Sequence, residues 1–140
     1  MFKVVVLLAV FQTATAATGV RPIATVRQLH DVVITPASDA VFAASGDDTP
    51  KTQKAWTAVH NQALLLAEAG NLLMVGSRAR DNDRWIKMSR ALVDAAALAA
   101  TAAEKKDAKA LASASDAITT ACEACHRPYR DNGRQMGQPH

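Results

Sequence analysis

Apolar residues recur at alternating spacings of three and four along four stretches of this 140-residue chain, and that recurrence most constrains what it can fold into. The second stretch is the clearest, with Trp56, Val59, Ala63, Leu66, Gly70 and Leu73 on one stripe between about Pro50 and Val75. An α-helix turns once in about 3.6 residues, so such a stripe is a single apolar face that has to be covered by a partner. The third stretch carries Trp85, Met88, Leu92, Ala95, Ala99 and Ala102 and ends near Glu104-Lys105-Lys106. The fourth starts around Asp107 and carries Leu111, Ala114, Ile118, Ala121 and Cys125. The first runs from about Ile23 to Ala44, with Val26, Leu29, Val33, Ala37, Ala40 and Ala44 in register. Pro36 interrupts it, so that either the helix kinks there or Thr35 caps a second short helix.

Turn signals separate the four. Ser45-Gly46-Asp47-Asp48-Thr49-Pro50 reads as a loop in which Thr49 caps the next helix and Pro50 is its first residue, and Arg80-Asp81-Asn82-Asp83 reads as a polar turn. No period-two run is long enough to argue for a sheet. The expected fold is therefore all-α, an antiparallel up-down-up-down four-helix bundle. Apolar residues make up 49% of the chain but aromatics only 4%, so alanine supplies much of the core. Helices faced with such small side chains leave space between them in which a flat cofactor can lie.

The fourth stripe ends in Cys122-Glu123-Ala124-Cys125-His126, which holds both cysteines of the chain. On a helix these side chains at i, i+3 and i+4 project to one side. Each thiol can add across one haem vinyl group, and the adjacent imidazole can then bind the iron, so the motif suits one covalently attached haem c within the bundle. Two other chemistries share the spacing. A zinc site needs further Cys or His ligands close by, and the only histidine after the motif is the terminal His140. A redox disulfide of the thioredoxin kind belongs at a helix start after a strand, whereas this motif closes an alanine-rich helix.

Lys3, the apolar run from Val4 to Phe11 and the small-residue stretch Gln12-Thr13-Ala14-Thr15-Ala16-Ala17 have the layout of a secretory signal peptide cut after Ala16. The expected organisation is a signal peptide over 1–16, one helical haem-binding domain over 17–130, and a polar tail over 131–140. Export to the periplasm agrees with covalent haem attachment, which takes place outside the cytoplasm. No other apolar stretch reaches the roughly 18 residues of a membrane span. The formal charge of +3 is mild and includes Lys3, and no basic stripe stands out, which argues against nucleic-acid binding.

The motif continues as Arg127-Pro128-Tyr129-Arg130. A C-terminal C-x-x-C-H-x-x-[YF]-[RK] pattern on the last helix of an exported four-helix protein resembles the class II c-type cytochromes. The similarity covers the mature chain in architecture, with residue matches concentrated between Cys122 and Arg130. It implies thioethers at Cys122 and Cys125, His126 as the proximal iron ligand, and Tyr129 and Arg130 at the last two motif positions, Arg130 beside the haem propionates. Pro128 would crowd the Ala124 carbonyl, so the helix should end or bend just after His126.

In that family the other face of the iron meets the first helix. This chain has no methionine there. Its candidate is His30, which would give a bis-histidine, low-spin haem. Alternatively His30 sits at the seam's edge, bonded to water or a carboxylate, and Leu29 or Val33 caps an open iron site. Arg27, one turn before His30, is a propionate partner or an exposed arginine. Two functions follow: periplasmic electron transfer to redox partner proteins, or gas binding (NO or CO) at five-coordinate iron. Neither is enzymatic, since no acid, base or nucleophile constellation stands out. The resemblance also implies a homodimer formed through the first two helices. His60 reads as a flanking polar residue, Met74 and Met88 as gap fillers, and Trp56 and Trp85 as core.

Overall fold

The computed structural model describes residues 19–81 and 83–131, so the expected signal peptide and nearly all of the polar tail lie outside the described residues. Every regular element among these residues is helical. α1 (Val26–Leu29) passes through a π turn, His30–Ile34, into α2 (Thr35–Ser45), and α3 (Gln53–Leu73), α4 (Arg84–Glu104) and α5 (Ala108–His126) follow. A 3₁₀ turn, Gly76–Arg78, lies between α3 and α4, and a second π turn, Arg127–Asp131, continues α5. α3 packs on α4 and α4 on α5, while α2 touches both α3 and α5 and closes the bundle.

Local chemistry sets the helix ends. Thr25 and Gln28 form a capping box at the start of α1, the Thr25 hydroxyl accepting from the Gln28 N–H and the Gln28 side chain accepting from the Thr25 N–H. Thr52, rather than Thr49, caps α3, its hydroxyl accepting the Ala55 N–H at 3.1 Å. Thr49 instead donates its hydroxyl to the Gly46 carbonyl, and Pro50 lies outside the helix. α4 ends in a Schellman turn: the Asp107 N–H reaches the Ala102 carbonyl, the Lys106 N–H reaches Ala103, and Lys106 takes a positive φ of 56°. Asp107 then caps α5 by accepting the Ala110 N–H at 2.9 Å.

The stripes of α3 and α5 are buried as their spacing predicts, from Trp56 to Leu73 and from Leu111 to Ala121. At Gly70 α3 lies close against α4, since a Cβ there would lie 2.8 Å from Val93 Cγ2. The register of the first helix differs from the expected one. Leu29 and Ile34, five residues apart, are both 3% exposed, and the buried face continues through Ala37, Val41 and Ala44. Val33 and Ala40, expected on that face, are only partly buried.

The π turn is the reason, since one extra residue in the turn advances the face by one position. Pro36 accounts for its location. In a regular helix its ring would press on the Val32 carbonyl, and it has no N–H to offer; widening the turn relieves both, with the Thr35 N–H donating to the His30 carbonyl. The helix neither stops at Pro36 nor restarts with Thr35 as a side-chain cap, because Thr35 is itself helical.

Candidate functional site

Among the described residues, Pro36 and Pro128 each lie after a histidine and beside or within a π turn. Pro128 stands in the Arg127–Asp131 turn as Pro36 follows the His30–Ile34 turn. α5 runs to His126 and then widens into the π turn, where a regular helix would press the Pro128 ring on the Ala124 carbonyl. His30 therefore opens one π turn and His126 immediately precedes the other.

The fold brings the two imidazoles together. Their ring centroids are 5.9 Å apart and the ring planes are inclined by 43°. His30 Nδ1 lies 3.1 Å from the Val26 carbonyl oxygen. A carbonyl can only accept, so Nδ1 carries the proton and the Nε2 lone pair is left for another partner. Leu29, beside it, is buried in the core, and Val33 packs against the core from a half-buried position.

Cys122 and Cys125 are half-buried, pack against the apolar core, and both are free thiols. Burial pushes both thiols up from their ordinary range, Cys122 further by the neighbouring Glu123 carboxylate and Cys125 by Cys122. Uncharged thiols facing an apolar seam suit a cofactor whose edge is hydrocarbon. Among the described residues no group of three or more His, Cys, Asp or Glu is gathered to hold a bare metal ion.

Tyr129 is more than a packing aromatic. Its ring meets Trp85 edge-on, with centroids 4.9 Å apart, and its hydroxyl donates to the Asp81 carboxylate, which also accepts the Trp85 N–H at 2.9 Å. Burial, and then the Asp81 hydrogen bond, push the Tyr129 hydroxyl up to about 12. The same bond, followed by the one from Trp85, holds Asp81 below the usual carboxylate range. Trp85 is buried and donates its indole N–H to the Leu73 carbonyl at 2.7 Å.

The arginines expected near the cofactor lie outward. Arg27 is on the exposed face of α1, its Nε 3.8 Å from the Asp31 carboxylate, and Arg130 is exposed. The buried arginine is Arg78, 7% exposed, which the sequence reading passed over. Nothing local marks it, because its partners, the Ala24 and Leu72 carbonyls, are set by how segments meet. Asp81 reads in the sequence only as part of a polar turn, because its partner Tyr129 is likewise distant. His60 is half-buried on α3, its Nδ1 3.4 Å from the Asn61 side-chain oxygen.

Comparison with curated proteins and with solved structures gave no significant match. A family model does match: residues 80–130 fit Cytochrome C′. The matched stretch takes in Asp81, α4, α5 and the C-x-x-C-H motif through Arg130, so it contains the Tyr129–Trp85–Asp81 contact as well as the two thiols and His126. Over that stretch the chain is similar to the Cytochrome C′ family, and every regular element among the described residues is helical.

Proposed function

We propose that this protein is an exported, periplasmic monohaem electron carrier, an antiparallel up-down-up-down bundle whose haem is attached at Cys122 and Cys125 and ligated by His126 and His30. The observation that carries the reading is the 5.9 Å between the His30 and His126 rings. A ligating imidazole nitrogen sits about 2 Å from its metal, and the ring centre lies roughly 1 Å behind it, so two axial imidazoles need roughly 6 Å between centroids.

The hydrogen bond from His30 Nδ1 to the Val26 carbonyl supports the assignment a second way. It fixes the tautomer, orients the ring and raises the basicity of Nε2, as partners of metal-bound histidines commonly do. The bound haem supplies one-electron Fe(III)/Fe(II) chemistry. The chain's residues would hold it: the two thiols at its edge and the two imidazoles at the iron, with the buried Leu29 and Ile34 excluding water from that side of the seam.

Visible spectra of the oxidised and reduced holoprotein, with and without carbon monoxide, test this. Low-spin spectra indifferent to CO are expected, and His30→Ala should convert the protein to a CO-binding, high-spin form. A wild-type protein that is already high-spin and takes up CO readily would instead establish the five-coordinate, gas-binding reading.

A further inference from the structure

The turn between α3 and α4 reaches both segments that carry the facing histidines. Arg78 donates Nε to the Ala24 carbonyl at 2.9 Å and Nη1 to the Leu72 carbonyl at 3.2 Å. Leu72 lies in the last turn of α3, at the negative end of the helix dipole, and its carbonyl accepts the Val75 N–H at 3.3 Å as well as the guanidinium. Ala24 precedes the Thr25 cap, and the next residue, Val26, holds the His30 ring. Gly76, at a φ of 56°, lets the turn lie against the same segment: a Cβ there would stand 2.9 Å from Pro22 Cγ. On its other side the turn offers Asp81, which grips Tyr129, three residues past His126.

These are long-range links, 54 residues apart for Arg78–Ala24 and 48 for Asp81–Tyr129. Each bears on a segment next to a π turn, where the regular α-helical ladder is broken and the backbone alone does not fix where the histidine points.

We infer that the α3–α4 turn is a clasp that sets the spacing of His30 and His126, with Arg78 and Asp81 as positioning residues for the two iron ligands. The inference rests on the bis-histidine reading above. Loosening either half of the clasp enlarges the population in which His30 has left the iron. Only that population can take CO, so the apparent CO affinity rises in proportion to it.

The test uses full-length, exported holoprotein: wild type, Arg78→Met, Arg78→Lys, Tyr129→Phe and, as a control for general destabilisation, Ile118→Val. Each is titrated with CO in the ferrous state and melted thermally. Arg78→Met and Tyr129→Phe should raise apparent CO affinity about tenfold, Arg78→Lys by less, and Ile118→Val not at all. Should Arg78→Met fail to fold, Arg78→Lys and Tyr129→Phe decide. Wild-type CO affinity in the folded variants, or an equal rise in Ile118→Val, overturns the clasp. A high-spin wild type sinks the bis-histidine reading separately. The clasp is then judged on the His126 side, where Tyr129→Phe must shift the iron–histidine stretching band and an unchanged band overturns it.

Discussion

The α3–α4–α5 seam and the end of the molecule where His30 meets His126 are built by opposite rules. Along the seam the helices are regular and the packing is tight, with Ala63, Leu66, Ala96, Ala99, Leu111 and Ile118 shut off from solvent. At the histidine end two prolines break the helical ladder into π turns, side chains are half-buried, and the ties are hydrogen bonds between distant residues. Close packing of small residues gives stability without specifying chemistry. Interruptions shift the register of the helix beyond them, which a regular ladder cannot do.

Substitutions can break that division of labour or sharpen it. The largest effect is expected from Ile118→Ala: truncating a fully buried side chain in α5 should lower stability by about 3 kcal/mol in denaturant unfolding while leaving the haem spectrum's spin state alone. A change of spin state there would show that the seam and the site are not separable. Gly70→Leu comes next, because even a Cβ would meet Val93 at 2.8 Å; overpacking should cost about 2 kcal/mol, again without a spectral change.

Ser89 gives a smaller effect of opposite sign. It is 2% exposed and, among the described residues, its hydroxyl is the buried side-chain group without a hydrogen-bond partner. Ser89→Ala should stabilise the seam by about 1 kcal/mol, seen as a higher melting temperature. Loss of stability instead would mean that the hydroxyl has a partner in solution.

The smallest effect concerns the histidine end and depends on pH. The Tyr129 hydroxyl, ordinarily near 10.0, is pushed up to about 12 in the folded protein. Its contribution to stability is therefore fully present below pH 10 and is lost as pH rises towards 12. Asp81, held low, works in the other direction: its contribution is present above the ordinary carboxylate range and fades as pH falls through its lowered value. Tyr129→Phe should remove the alkaline decline in thermal unfolding, whereas Ile118→Ala should keep it. An unchanged decline in Tyr129→Phe would place its origin elsewhere.

The regular parts were legible in the sequence. The six seam residues of α3 are all buried as read, and those of α5 follow, with Cys125 half-buried at the end. In α4 the reading slips once, at Met88, which is half-buried while Ser89 takes the core position. In the first helix Val33 and Ala40 are only half-buried while Ala37 and Ala44 are buried as expected, because the π turn departs from a regular period. The signals were present, in Pro36 and in the i+5 pair Leu29 and Ile34, but a regular period and a widened one differ by a single residue. Similarly, Thr49 and Thr52 are both plausible caps, and which one serves depends on where the loop can enter the bundle.

Sequence alone determined the helices and their apolar faces and displays the C-x-x-C-H motif, since each is fixed by residues within a few positions of one another. Tertiary structure decided which residues meet. His30 stands 5.9 Å from His126, Arg78 is buried under Ala24, and Asp81 grips Tyr129. Those partners lie dozens of residues apart, and no local pattern encodes a contact whose energy appears only when separate helices are packed together.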